Sequence, residues 1–121
     1  MTSTVLHGDP ALRMPVEVRG YDINLELHSD ATTLTLAGDL DAAATDALRG
    51  LLTVVHMTPS VIHVHADGVL GADLEAFDLL LEAARARRAQ GLPSVRVESL
   101  GDAVRDLFGV LGLREQPPVV L

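Results

Sequence analysis

Hydrophobic and polar positions follow two different periods along this chain, and the changes of period predict its secondary structure. Residues 23–27 and 33–36 alternate with period 2, which is typical of strands, and the polar residues between them predict a hairpin. Short apolar runs at 61–66 and 95–97 predict two further strands. Residues 16–19 form a candidate edge strand near the start of the chain.

Three other segments have the apolar spacing of helices. The first follows the N-cap candidate Asp41, and the second follows Asp73 and ends at Gly91 and Pro93. The third follows Asp102 and ends at Gly112. The predicted apolar faces consist of Ala44, Leu48, Leu51, Leu52 and Val55 in the first helix, Phe77, Leu80, Leu81 and Ala84 in the second, and Val104, Leu107, Phe108 and Leu111 in the third.

The resulting order, β-β-α-β-α-β-α, predicts an α/β fold in which helices pack on a small mixed sheet of about four to five strands. An antiparallel hairpin opens the sheet, and the later strands alternate with helices, which favours parallel pairing. We divide the chain into an N-terminal arm or edge strand (1–20), the folded domain (21–115) and an irregular C-terminal tail (116–121) that contains two consecutive prolines.

Composition narrows the classes of function. With 48% hydrophobic but only 2% aromatic residues, the 121-residue chain predicts a single domain with an aliphatic core. The absence of cysteine excludes disulfides and thiol chemistry, and all nine basic residues are arginine, which excludes a catalytic or phosphate-binding lysine. A net charge of −8 argues against nucleic acid and anionic membranes as partners. No apolar run is long enough to span a bilayer and no signal-peptide pattern begins the chain, so we expect a cytoplasmic protein.

Three segments resemble the STAS domain family, in particular the bacterial anti-sigma factor antagonists. Residues 34–41 (LTLAGDLD) are similar to the family's strand that ends in Gly-Glu-Leu-Asp. Residues 61–77 are similar to its strand, Gly-Val turn and Asp-Ser-Ser-Gly helix start, and residues 103–113 to its Ala-Val-Arg helix that ends in a Gly-Leu pair. The resemblance implies a STAS-like fold without cofactors or catalysis, an anti-sigma factor or kinase-like regulator as protein partner, and a homodimer as an open alternative.

The second segment departs from the family at the site of regulation. Asp73 falls on the motif's Asp, whereas Leu74 and Glu75 replace the two serines, the first of which a partner kinase phosphorylates in the family. No Ser, Thr or Tyr occurs between Ser60 and Ser94, so this is a degenerate, non-phosphorylatable site. Two consequences remain open. Either Leu74 leaves the protein permanently competent to bind its partner, or Glu75 imitates a phosphate and leaves the binding permanently weak.

The resemblance implies that the partner binds at the start of the second helix and the adjacent loop. The candidate binding residues are Asp39, Asp41, Leu70, Asp73, Leu74, Glu75, Asp78 and Glu82. Asp39 and Asp41 are equally explained as turn and cap residues. The second helix has acidic residues in its first half and arginines in its second half, an order that complements the helix dipole. A solvent-exposed face without any partner would therefore also explain this charge pattern.

Other functions have weaker support in the sequence. One alternative within the family is an accessory subunit of an ABC transporter ATPase, where the fold serves assembly without phosphorylation. An alternative of another class is a small metal-dependent enzyme, because His63 and His65 point to the same side of a strand. No motif supplies further metal ligands or a nucleophile, and we therefore expect neither metal nor catalysis.

Overall fold

The computed structural model describes residues 12–121 as a mixed sheet with three helices. Its elements are β1 (Leu12–Val18), β2 (Tyr21–Leu27), β3 (Thr32–Leu40), α1 (Ala42–Val55), β4 (Ile62–Ala72), α2 (Leu74–Ala89), β5 (Val95–Leu100), α3 (Asp102–Leu111) and β6 (Val119–Val120). The part of the predicted arm at residues 1–11 lies outside the described residues. None of the three helices described has both the length and the apolar character needed to span a membrane.

All six strands belong to one sheet in which their spatial order follows the chain. Strands β1, β2 and β3 pair antiparallel, β3, β4 and β5 pair parallel, and β6 returns antiparallel to β5. The predicted mixed α/β fold is therefore confirmed, with one strand more than the four to five expected. The strand pairing that the sequence did not predict lies partly at the two edges of the sheet. There β1 begins before the predicted edge strand, and β6 falls in the predicted tail.

The helices cover one face of this sheet. Two successive parallel connections, β3-α1-β4 and β4-α2-β5, advance in the same direction, so right-handed crossovers place α1 and α2 on the same side. Helix α3 joins them, because its Phe108 meets Phe77 of α2 edge to face with ring centroids 5.5 Å apart. The rest of the core is aliphatic, as the composition predicts. The opposite face of the central strands carries polar side chains, among them His63, His65 and Glu98.

Two predicted boundaries are wrong. Strand β4 does not end at Ala66 but runs on to Ala72, because residues 68–72 keep pairing with β3 after shifts of register. Asp102 is the first residue of α3 rather than its cap; Gly101 holds the N-cap position, and the Asp102 carboxylate accepts a hydrogen bond from Arg105 at 3.1 Å.

The C-terminal tail is not irregular throughout. Val119 pairs with Val97, and the backbone N–H of Leu121 donates to the carbonyl of Val95 at 2.9 Å. Val119 and Leu121 are both buried. These apolar residues cover the edge of β5, which would otherwise present unpaired backbone groups.

Arg87 of α2 is buried, although its neighbours in the sequence include the charged residues Arg85 and Arg88. Its guanidinium donates to the carbonyl oxygens of residues 55, 56, 58 and 60 at 2.7–3.4 Å, and its Nε donates to that of Pro93 at 2.9 Å. Burial lowers the pKa of Arg87, because desolvation disfavours the charged form. Its spacing from Phe77, Leu80 and Ala84 continues the buried face of the helix, and this was the available sequence signal.

Replacing Arg87 by alanine should lower the free energy of unfolding by about 3 kcal/mol or more, since it leaves buried carbonyls without donors and opens a cavity. Urea denaturation measures the change. Arg85→Ala, two residues earlier and exposed, is the matched control and should shift the free energy by no more than about 0.5 kcal/mol. Equal effects of the two substitutions would contradict the structural role of Arg87.

Candidate protein-interaction site

Three of the predicted carboxylates meet where β3 and β4 end. The two strands are parallel, and their register pairs Asp39 with Gly71 and Leu40 with Ala72. The backbone N–H of Asp73 then donates to the carbonyl of Leu40 at 2.9 Å, which holds the start of α2 against the end of β3. A shallow depression of about 230 Å³ results, lined by Asp39, Leu40, Asp41, Gly71, Ala72 and Asp73.

The position of Asp39 is fixed by a close approach of two chain segments. Gly38 has a φ of +84°, and a Cβ at this position would lie 2.3 Å from the carbonyl oxygen of Gly20. The next residue, Asp39, donates its backbone N–H to that same oxygen at 2.8 Å. Because only glycine tolerates both the backbone angle and the contact, the Gly38-Asp39 pair ties the candidate site to the β1–β2 turn.

The three aspartates differ in how their side chains are engaged. Asp41 caps α1, with its Oδ1 accepting from the N–H of Ala44 at 3.0 Å, so its cap role accounts for one of its oxygens. Asp73 holds the N-cap position of α2, yet its side chain makes no capping hydrogen bond. Asp39 and Asp73 are both exposed, and within residues 12–121 neither side chain has a hydrogen-bond or salt-bridge partner. Their charges are therefore available to another molecule.

Two exposed leucines directly precede and follow residues 71–73, which line this depression. Leu70 is 77% exposed and belongs to the final part of β4, not to a loop as predicted. Leu74 is the first residue of α2 and is 44% exposed. Leu74 thus presents an apolar side chain to solvent at the start of α2, and no hydroxyl-bearing residue occurs between positions 60 and 94.

The remaining candidates lie along α2. Glu75, Asp78 and Glu82 are exposed, and their spacing puts them on one side of the helix. We call these three residues the acidic stripe. It extends over roughly 10 Å of helix, so Glu82 lies two turns away from the depression rather than within it.

His63 and His65 do point to the same side of β4, as predicted, and that side is the polar face of the sheet. Neither histidine lines the depression. His63 Nδ1 donates to Glu98 at 2.5 Å, and the Glu98 carboxylate lies 3.4 Å from Arg96 Nε. His65 is 3.4 Å from the hydroxyl of Ser99. Within residues 12–121 no three His, Cys, Asp or Glu side chains are arranged to hold a metal ion. The geometry therefore supplies an ion-pair network and gives the metal-enzyme alternative no support.

Sequence reasoning missed a groove between α1 and α2. It has a volume of about 350 Å³ and is lined by Arg49, Leu52, Thr53, His56, Leu79 and Ala83. Leu79 and Ala83 are one turn apart and lie beside the predicted apolar face of α2, which was the only signal of an extended apolar surface.

Comparisons with known proteins agree with this architecture. A family model described as "Mlab, STAS domain" matches residues 23–121. The structure of the anti-sigma factor antagonist SpoIIAA in its unphosphorylated form is similar with a TM-score of 0.64 and 19% identity, over 74% of this chain and 80% of that one. An anti-sigma factor antagonist from Mycobacterium paratuberculosis has a TM-score of 0.59 and 15% identity, over 85% and 80% of the two chains. These structural similarities show a shared fold. No curated protein matches the sequence.

The Glu98 carboxylate gives the polar face a measurable pH dependence. Its hydrogen bond from His63, and secondly the charge of Arg96, hold the pKa of Glu98 below its usual value, against the opposing effect of burial. Ionised Glu98 therefore stabilises the fold above its unfolded-state pKa of about 4.3, and this stabilisation is lost as the pH falls through the folded-state value.

We expect Glu98→Gln to reduce the free energy of unfolding at pH 7 and to lose that deficit progressively below about pH 4. Denaturant unfolding across this pH range measures it. Glu82→Gln, which removes an exposed carboxylate of the acidic stripe, is the control and should follow the wild type. A constant deficit at all pH values would show that the substitution acts through packing instead.

Proposed function

Because this chain belongs to the STAS domain family, we propose that it is a non-enzymatic protein-interaction module that binds an anti-sigma factor or a similar, kinase-like regulator in the cytoplasm. The observation that carries the proposal is the depression at the ends of β3 and β4. It is lined by Asp39 and Asp73, whose side chains have no partner within residues 12–121, and the exposed Leu70 and Leu74 flank its segment 71–73 in the chain. In this proposal the partner contacts that depression and the first turns of α2.

The composition of this surface suits a protein partner better than a small substrate. Full burial of a leucine side chain contributes about 1.5–3 kcal/mol, so Leu70 and Leu74 can supply a substantial part of a binding free energy. Carboxylates around them favour a basic partner surface and accelerate association with it. The depression itself is lined by three carboxylates and by Leu40, Gly71 and Ala72, and no hydroxyl, thiol or imidazole side chain is among its lining residues.

The lack of a hydroxyl side chain at the start of α2 has two competing interpretations, permanent binding and permanently weak binding. The exposure of Leu74 supports permanent competence to bind, because an apolar side chain is already presented at the position where the family carries a hydroxyl. Glu75 is a weaker imitation of a phosphate, since it carries one negative charge where a phosphate carries nearly two. We therefore propose a constitutively binding protein.

A second candidate function is an accessory subunit that assembles with the ATPase of an ABC transporter. Assembly needs no switch, and this alternative is favoured by the lack of any hydroxyl side chain from Val61 to Pro93. The matching family model also has the name Mlab rather than that of an anti-sigma factor antagonist. The identity of a protein captured from the native cytoplasm, determined by mass spectrometry, separates the two candidates.

Reversing part of the acidic stripe with Glu75→Lys and Asp78→Lys should weaken binding to the captured partner, mainly through slower association, and should flatten its salt dependence. Both residues are exposed, so the melting temperature should change little. Asp30→Lys with Asp106→Lys makes the same change of net charge at exposed positions elsewhere and is the matched control. Equal association rates of the two double variants at low salt would place the partner at another surface.

Restoring family-like residues with Leu74→Ser and Glu75→Ser should create a phosphorylation site. Both positions are exposed in the first turn of α2, where serine is tolerated, so the variant should fold. Intact-mass measurement after incubation with the captured partner and ATP should show one added phosphate on the variant and none on residues 61–93 of the wild type. A variant that binds the partner but gains no phosphate would exclude a kinase and favour the transporter subunit.

A further inference from the structure

The groove between α1 and α2 has an apolar floor and two polar rims. Leu52 of α1 and Leu79 and Ala83 of α2 form the floor. Arg49, Thr53 and His56 form the rim on α1, where they recur every three or four residues along the helix. From Arg49 to His56 the groove follows roughly 10 Å of helix, which is enough for about two turns of a second helix laid along it.

The rim on α2 is acidic. Residues three and four apart are neighbours on a helix surface, so Leu79 lies directly between Glu75, four residues before it, and Glu82, three residues after it. Glu75 and Glu82 are therefore neighbours of the groove floor on the α2 side, although they do not line the groove, and the acidic stripe leads from there to the depression at the start of α2.

The charges of the two rims are unequally satisfied. Arg49 on α1 already pairs with Asp46 at 2.6 Å. Within residues 12–121, by contrast, no member of the acidic stripe has a hydrogen-bond or salt-bridge partner. A ligand of this groove gains most by presenting an apolar surface to the floor and positive charge to α2.

We propose that the groove receives an amphipathic helix of the protein partner, with apolar side chains at positions i, i+3 and i+4 on the floor and Lys or Arg along the flank that faces the acidic stripe. This inference rests on the proposed function and extends it, because the partner then contacts a surface that continues from the depression along α2. A second copy of this chain fits less well. Its own helices already turn their apolar faces into the core, and each copy carries a net charge of −8.

The test uses two synthetic helical peptides with the same apolar face, one flanked by arginines and the other by glutamates, added to the 121-residue protein. Nuclear magnetic resonance titration gives both the affinity and the residues whose signals shift. We expect the arginine-flanked peptide to shift signals of Leu52, Leu79 and Ala83 and to bind roughly tenfold more tightly than the glutamate-flanked one, as two to three weak surface ion pairs allow.

Two sets of variants make the test specific. Ala83→Gln fills the floor and should abolish binding, whereas Ala89→Gln, the same change at an exposed position six residues later and about a third of a turn round α2, should not alter it. Glu75→Gln with Glu82→Gln removes two of the three charges of the acidic stripe at exposed positions and should greatly reduce the difference in affinity between the two peptides. This second set remains informative even if Ala83→Gln fails to fold.

Other outcomes overturn the inference. Shifts centred on Leu70 and Leu74, equal affinity of the two peptides for the wild type, or no effect of Ala83→Gln in a folded protein would each exclude a helix in the groove. Concentration-dependent dimerisation that Ala83→Gln removes would assign the groove to a second copy.

The captured partner separates this inference from the proposed function. If Leu74→Asp weakens its binding and Ala83→Gln does not, the proposed function stands and the groove inference fails. If neither substitution weakens its binding, the proposed function fails as well.

Discussion

The hydrogen bonds of Arg87 fix the relation between the two helices on which every functional proposal depends. The last carbonyls of α1 have no partners within their helix, and they carry the negative end of its dipole. A guanidinium offers five donors and remains charged when buried, so it can satisfy several carbonyls that diverge from one helix end. Here it joins the end of α1, the turn before β4 and the carbonyl of Pro93 to the last turns of α2. Without it, the position of the groove and of the acidic stripe relative to α1 would depend on apolar packing alone.

Local periodicity was sufficient to predict most elements of the fold, because each helix and central strand has one apolar face. It failed where pairing depends on distant residues. The extension of β4 beyond Ala66 requires β3 as a partner, and a segment containing Gly68 and Gly71 resembles a loop when read alone. Similarly, Val119 becomes a strand residue only because β5 offers it a free edge. The charged neighbours of Arg87 suggest a solvated basic face, whereas its spacing from Phe77, Leu80 and Ala84 places it on the buried face of α2.

The resemblance placed Asp39 and Asp41 beside the start of the second helix, and the structure does bring them near Asp73, because the parallel strands β3 and β4 end at the same edge of the sheet. Whether a partner binds there stays a prediction. The sequence could not show that Asp41 would cap its helix while Asp73 would not, because this depends on side-chain orientation. The groove could not be predicted from the sequence for a similar reason. Leu79 lies on α2 and Leu52 on α1, and only the packing of the two helices makes them neighbours.

The physical properties of this surface also suggest how binding can operate without a hydroxyl. In the proposed complex, apolar contacts of Leu70 and Leu74 would be insensitive to salt and act mainly on dissociation, whereas the exposed carboxylates would act over longer distances and mainly on association. A phosphate at the start of α2 would add charge to the second contribution and leave the first unchanged. If Leu74 holds the position of the family's serine, as the resemblance implies, it enlarges the apolar contribution and leaves the neighbouring carboxylates in place. Control of such a complex would then come from the amount of partner or from the ionic environment, rather than from covalent change at the start of α2.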